Sequence, residues 1–358
     1  MRRTIATGLM LGAAWLPGAG AQALTTAEIL NYSGADRAQV LLEGAKREGQ
    51  VVFYSGMIAN QALRPLAEGF NRKYPGVKMS FWRADTEEMI AKVIAEVKAN
   101  NVIGDVLEGT GLGEMTVSAG IVQKFHTPLV AEYPEKYRDP EDTWVVTRLS
   151  YFSAAYNTKQ VAADKVPRTF EALLDPQWKG KMAWRIGIAT GTPTFITNLR
   201  IAWGEEKAMA YFRKLREQQI VNFGAGSART LVDRVMAGEY PIALQIFAHH
   251  PLISAGKGAP VNSILMDPVA SVAAPMQIPK NLPHPHAAML LVDYILSKEG
   301  QQVLAQAEYY PAHPEVPPMP SLAPVVPRLA GVPENFITPQ DFLKYSSSSD
   351  QIYQDLFR

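Results

Sequence analysis

The stretch VVFYSGMIANQALRPLAEGFNRKYPGVKM, residues 51–79, decides the fold class. Val51 to Tyr54 form a run of strand-favouring residues, and Ser55-Gly56 breaks it. Leu63, Leu66, Ala67 and Phe70 then recur at helical spacing, so they share one face. Pro75-Gly76 turns the chain into a second apolar run, Val77 to Trp82. Strand, turn, amphipathic helix and returning strand make the opening unit of an α/β lobe. Working outward, a helix rich in Ala, Leu, Lys and Glu is predicted from Ala35 to Glu48, closed by Gly49. On the other side a helix from Thr86 to Ala99 leads to the short strand Asp105-Val106-Leu107 and the turn Gly109-Thr110-Gly111. Strands that alternate with helices predict a largely parallel sheet.

A second α/β stretch begins near Arg148, with a strand from Leu149 to Tyr156 and a strand end at Met182 to Arg185. In Thr190-Gly191-Thr192-Pro193, Pro at a first helical position with Thr as its cap predicts a helix to Trp203. A helix from Glu205 to Gln218 follows, and Gly226-Ser227-Ala228-Arg229 starts another that ends at Gly238. Pro241 to Phe247 reads as a strand into the loop Ala248-His249-His250-Pro251. After Asp267 strands return, with a final helix from Ala287 to Ala305. The Pro-rich stretch from Pro311 to Pro327 is expected to wrap the surface, and no internal repeat or heptad array is present.

Residues 1–23 carry the pattern of a cleaved export signal: Arg2-Arg3, an apolar run from Ile5 to Leu16 and the small-x-small site Ala21-Gln22-Ala23. A membrane anchor is the alternative, but the run is shorter than the roughly 20 apolar residues a span needs. General and twin-arginine export both fit Arg2-Arg3. The expected location is the periplasm. With no Cys in the chain, disulfides, thiolate metal sites, a Cys nucleophile and lipid attachment through an N-terminal Cys are excluded. Without the leader, 33 basic residues face 34 acidic ones, so no global field points to nucleic acid or an anionic membrane. The remaining 335 residues suit two lobes, and a monomer is expected.

Six segments taken together resemble the periplasmic solute-binding proteins of ABC importers, in the branch that includes ferric-ion and small-anion binders. They are residues 51–79, GDVLEGTG at 104–111, AAYNTKQV at 154–161, DPQWKGKMAW at 175–184, GEYPIAL at 238–244 and HPHAAMLLVDYILSKEGQQVLAQAEYYPAHPEV at 284–316. The resemblance implies an α/β, two-lobe type II periplasmic-binding fold, with a ligand cleft between lobes joined by crossing strands. The expected division is 24–148 plus about 268–308 for lobe 1, and 149–267 plus about 309–358 for lobe 2. It also implies capture of a small anionic solute, such as a carboxylate, phosphonate or phosphate ester. The solute would be delivered to an inner-membrane permease and ATPase complex, with no cofactor and no catalysis. The alternatives are ferric-ion transport, a sensor role and a secreted enzyme.

In open parallel sheets ligands sit beyond the carboxyl ends of strands, where helix N-termini offer unpaired N–H groups. Ser55, Gly56, Thr110, Gly111, Thr190, Thr192 and Ser227 occupy such places; each alone reads better as an ordinary helix cap, and their concentration at strand ends favours a pocket for the group. Arg185 follows a strand directly and is the principal candidate anchor, because a guanidinium grips carboxylate or phosphonate through paired hydrogen bonds. Arg229 and Arg83 take comparable places, and His249 is expected at the cleft. Trp184, Trp82, Phe247 and Tyr54 are possible apolar walls. By the resemblance, the paired tyrosines of the ferric branch fall at Ala248 and His249, its His at Ile58 and its Glu at Thr110, so no ferric set is expected. Tyr309-Tyr310 belongs to the family's C-terminal Tyr-Pro phrase and is expected at the lobe surface. His284-Pro285-His286 reads as a helix start rather than a metal site, with no acidic partner near it in sequence. Against catalysis, Arg229 breaks the Gly-x-Ser-x-Gly pattern around Ser227, and no His-Glu-x-x-His, phosphate-loop or dinucleotide motif occurs.

Overall fold

The computed structural model describes residues 24–187, 190–224 and 227–358; the leader, 1–23, and the positions Ile188, Ala189, Ala225 and Gly226 lie outside the described residues. The first half contains α1 (Thr26–Leu30), α2 (Arg37–Glu48), β1 (Gln50–Ser55), α3 (Arg64–Lys73), β2 (Lys78–Arg83), α4 (Thr86–Lys98), β3 (Val106–Glu108), α5 (Glu114–Ser118), β4 (Val122–Gln123) and β5 (Val145–Asn157). Next come β6 (Met182–Trp184), α6 (Thr192–Trp203), α7 (Glu205–Leu215), β7 (Val221–Asn222), α8 (Ala228–Met236), β8 (Ile242–Phe247), α9 (His249–Gly256), β9 (Val261–Ile264) and β10 (Val269–Pro279). The chain closes with α10 (Pro285–Leu296), α11 (Lys298–Gln306), β11 (Tyr310–Pro311), α12 (Pro327–Ala330), β12 (Glu334–Ile337) and α13 (Pro339–Phe357).

The strands follow the order β2-β1-β3-β10-β5-β8-β6-β7. At one end β1 pairs in parallel with β2 and β3, and at the other β6 pairs in parallel with β7 and β8. The centre is antiparallel, which corrects the largely parallel expectation: β10 runs against β3 and β5, and β5 against β8 and β9. The physical reason is that β5 and β10 belong to neither parallel layer. They cross from one to the other in opposite directions, and all of their residues are buried. The molecule therefore has two α/β lobes joined through β5 and β10.

One large core gathers Phe53, Leu66, Phe70, Met289 and Tyr294 from β1, α3 and α10, while a second gathers Trp184, Phe195, Leu199 and Phe212 from β6, α6 and α7. Tyr309, Tyr310, Leu322 and Val325 join the first core, and β11 pairs with β5 opposite Leu149 and Arg148. The Pro-rich stretch is thus more than surface wrapping, because Leu322 and Val325 between its prolines pack in the first core. Two further boundaries differ from expectation. The last helix breaks at Ser297, whose hydroxyl caps α11 through Gly300 N. The expected loop at 248–251 is instead the start of α9. The helix α13 was not anticipated; Thr338 and Asp341 form its capping box, and Tyr353 packs near Trp184. Among the described residues no helix is long and apolar enough to cross a membrane.

Candidate functional site

Between the lobes lies a cavity of about 80 Å³, the scale of a small solute rather than a polymer. Gly56, Ile58, Arg83, Asp85, Thr86, Glu87 and Thr110 line it from the β1-β2-β3 end, and Arg185, Thr190, Ser227, Ala228 and Arg229 from the β6-β8 end. Arg148 of β5, Phe247, His249, His250 and Tyr309 complete the lining. Apart from Arg148, which lies within β5, and Tyr309, just before β11, these groups stand at strand exits or helix starts, so the fold delivers polar side chains there.

Arg185 leaves β6 and is held by its own turn. Its carbonyl accepts hydrogen bonds from Thr192 N at 3.0 Å and Thr192 Oγ1 at 2.9 Å, and its guanidinium donates to Thr190 Oγ1. Gly187 has φ +144°, and a Cβ there would stand 3.0 Å from Arg185 Nη2. At Gly191 a Cβ would lie 2.6 Å from Gly187 O, so this turn requires glycine. Burial lowers the Arg185 pKa, while Asp85 and Glu87 of the opposite wall push it back up.

Arg148 is buried in the crossing strand, with Nε 2.9 Å from Glu108 Oε1 in an ion pair that falls short of an aligned hydrogen bond. It also donates to Ser150 Oγ at 3.2 Å, and its guanidinium lies 4.9 Å from the centre of the Tyr309 ring. Arg83 pairs with Asp85 at 3.1 Å, and Arg229 with Asp233 at 3.0 Å. His249 is 2% exposed, and neither of its ring nitrogens has a hydrogen-bond partner. Burial first, then His250, Arg148 and Arg229, hold its pKa well below the usual imidazole value. Burial and Arg229 push His250 down to about 3. Both rings are therefore neutral at physiological pH.

Of the residues singled out in the sequence, Gly56, Thr110, Arg185, Thr190, Ser227, Arg229 and His249 line this cavity, as does Arg83. Three stand behind it. Ser55 is fully buried and donates to Glu108 Oε2 at 2.5 Å. Gly111 anchors its turn to β10 through Ala273 O at 3.1 Å. Thr192 is fully buried, and its hydroxyl holds the Arg185 carbonyl instead of capping α6, whose cap is Gly191. Among the aromatic walls only Phe247 reaches the cavity, since Trp184 and Tyr54 are core residues and Trp82 packs edge-on against Tyr54. Tyr309 corrects the surface expectation: it is buried, lines the cavity and accepts a hydrogen bond from Ile58 N at 3.0 Å. Burial raises its pKa, although Arg148 lowers it in part. Asp85, Glu87, Arg148 and Tyr309 were missed as site residues; the available signal was Arg148, a charge inside the apolar run from Trp144 to Tyr156.

His284 and His286 lie away from this cleft, and the fold brings each an acid. His284 Nδ1 is 3.0 Å from Asp105 Oδ2, and His286 Nδ1 is 2.7 Å from Glu48 Oε1. No group of three or more His, Cys, Asp or Glu placed to hold a metal ion occurs among the described residues.

The family of bacterial extracellular solute-binding proteins matches residues 102–328, which is most of the chain. The chain belongs to that family. Its relatives include Iron uptake protein A1 of Synechocystis, 24% identical over 68% of this chain and 70% of that protein. The Fe(3+)-binding periplasmic protein of Serratia marcescens is 21% identical over 73% of this chain and 78% of its own length. Among solved structures, iron-bound HitA of Pseudomonas aeruginosa superposes with TM-score 0.72 at 20% identity, covering 86% of this chain and 99% of that one. AfuA of Actinobacillus pleuropneumoniae, solved with exogenous fructose-6-phosphate, gives 0.71 at 24% identity, covering 87% and 99%. At these identities the structural likeness establishes the two-lobe fold. The family and these neighbours are binding proteins rather than enzymes.

Proposed function

We propose that this family member captures a small solute bearing an oxyanion in the periplasm and passes it to an inner-membrane permease and ATPase complex. The observation that carries the reading is one small cavity surrounded by Arg83, Arg148, Arg185 and Arg229, with the starts of α6 and α8 beside it. Guanidinium groups and helix N-termini both favour oxyanions. In this proposal Arg185 is the anchor, Thr190 and Ser227 donate around the same group, and His249 closes from α9. Thr192 acts behind Arg185, by fixing its carbonyl. The lobes divide at β5 and β10, with 24–148 and about 268–308 forming one and 149–267 the other. Of the stretch 309–358 expected in the second lobe, Tyr309, Tyr310, Leu322 and Val325 instead pack in the first core, while Tyr353 of α13 packs in the second.

Ferric ion is the competing cargo, favoured by the names of the relatives and by Tyr309 in the cavity. Against it, the positions matching the ferric ligand set hold Ala248, His249, Ile58 and Thr110, of which none supplies phenolate or carboxylate. Four guanidiniums also oppose a trivalent cation.

The test is native mass spectrometry of the protein purified from periplasm, with a thermal-shift screen of carboxylates, phosphonates, sugar phosphates and chelated ferric ion. An anionic organic solute that copurifies and stabilises the fold supports the proposal. A visible charge-transfer band with ferric ion that disappears in Tyr309→Phe replaces it with iron transport. Recovery of the full chain in cytoplasm or membrane fractions counts against periplasmic delivery.

A further inference from the structure

The two walls of the cavity are unlike. Arg185 and Arg229 stand on one side with the N-termini of α6 and α8, whereas the other side carries Asp85 and Glu87 at the start of α4. Asp85 holds the cap position of α4 but makes no capping bond; its carboxylate pairs with Arg83 and lines the cavity. The positive end of α4 is thus already matched by acids, so a second anion there gains little and is opposed by like charge. Among the residues that line the cavity, Arg83, Arg148, Arg185 and Arg229 stand against Asp85 and Glu87, so the lining is positive overall and its two acids are gathered on one wall. A solute with only negative charge would match the arginine wall and leave the acidic wall without a counter-charge.

His249 supplies an independent observation. A neutral imidazole has one nitrogen that donates and one that accepts, and here both are buried without partners. An ionised carboxylate or phosphonate only accepts, so the accepting nitrogen of His249 calls for a donor on the solute.

Building on the anion-capture reading, we propose that the solute is a zwitterion. Its oxyanion lies against Arg185 and Arg229, and a protonated amine faces Asp85 and Glu87.

The test is calorimetry of the full mature chain with two sets of probes that differ in one group. One set is 2-aminoethylphosphonate, 2-hydroxyethylphosphonate and ethylphosphonate; the other is 4-aminobutyrate, 4-hydroxybutyrate and butyrate. In at least one set the amine should bind about tenfold or more tighter than both partners, the scale of one charge-assisted hydrogen bond. In the double variant Asp85→Asn/Glu87→Gln the amine should weaken and the deaminated member tighten, because the acids no longer oppose its charge. Circular dichroism checks folding, and the comparison within the parent protein stands without the variant. Equal binding of amine and deaminated members, a hydroxyl member that matches the amine, or a preference that survives in the double variant would overturn the zwitterion and leave anion capture standing. Binding by no member of either set would overturn the zwitterion, while an anion recovered from the wider screen would leave anion capture standing.

Discussion

At the scale of single residues, the cleft depends on side chains whose backbone is fixed before any solute arrives. Arg185 is tied at its carbonyl by Thr192, and Gly187 leaves room for its guanidinium. A charge-assisted bond in a closed cleft is worth about 1.5–3 kcal/mol, so Arg185→Ala should weaken binding of the copurified solute about 10- to 100-fold by calorimetry. Arg185→Lys should recover only part, because an ammonium keeps the charge and loses the planar fork. Gly187→Ala should reproduce some of the defect, since its Cβ would press on Nη2; full affinity in both Ala variants would move the anchor to Arg83 or Arg229. His249 and His250 lead to a separate prediction about pH. Their folded pKa values are depressed, so below about pH 6.5 the unfolded chain binds protons that the folded chain refuses. Stability should fall as pH drops below that point, by up to about 1.4 kcal/mol per pH unit for each ring. Urea unfolding at pH 7, 6 and 5 measures the slope, and His249→Asn should flatten it.

At the scale of elements, the start of α10 is set by two His-acid pairs. Asp105 is fully buried and accepts from Val52 N at 2.8 Å and His284 N at 3.0 Å, so it ties β1 to α10. Its pairing raises the pKa of His284, whereas burial raises that of Asp105 itself. Both shifts act in one direction. The His284 contribution is complete below about pH 6.5 and is lost as pH rises through its raised value. Ionising Asp105 also costs stability as pH rises from its ordinary value to its raised one. The stability difference between parent and His284→Gln should therefore shrink between pH 6 and pH 9, from about 1 kcal/mol or less. A constant difference would mean that the pair carries no charge. This junction also shows what the sequence can and cannot reveal. His284-Pro285 was legible as a helix start because Pro fits a first turn. Pro251 misled for the same reason: at the third position of α9 it needs no donor, so a helix begins where a loop was expected. Asp105 and Glu48 were invisible as partners because they come from distant elements. Likewise β5 and β10 carry no local mark of strand direction, so the antiparallel centre and the inward turn of Tyr309 could not be read from spacing. Arg185, Ser227 and Thr190 could, because strand exits and helix starts are local features.

At the scale of the whole molecule, the candidate site exists only where two lobes meet. Thr110 and Asp85 stand with one core and Arg185 and Arg229 with the other, while β5 and β10 cross between them. A solute touching both walls holds the lobes together, and rotation about two crossing strands changes the separation without unfolding either core. Saturation with the copurified solute should reduce the radius of gyration in small-angle scattering. It should also raise the stability by about 2.7 kcal/mol at a free concentration 100 times the dissociation constant, because only the folded form binds. The two readouts separate affinity from motion. Arg185→Ala should need about 10- to 100-fold more solute, and at its own saturation it should reach the same compact dimensions as the parent. A variant that saturates thermally but stays extended would show that Arg185 transmits closure as well as binding. Parent protein whose scattering is unchanged at saturation would be a rigid binder, with the crossing strands acting as a brace.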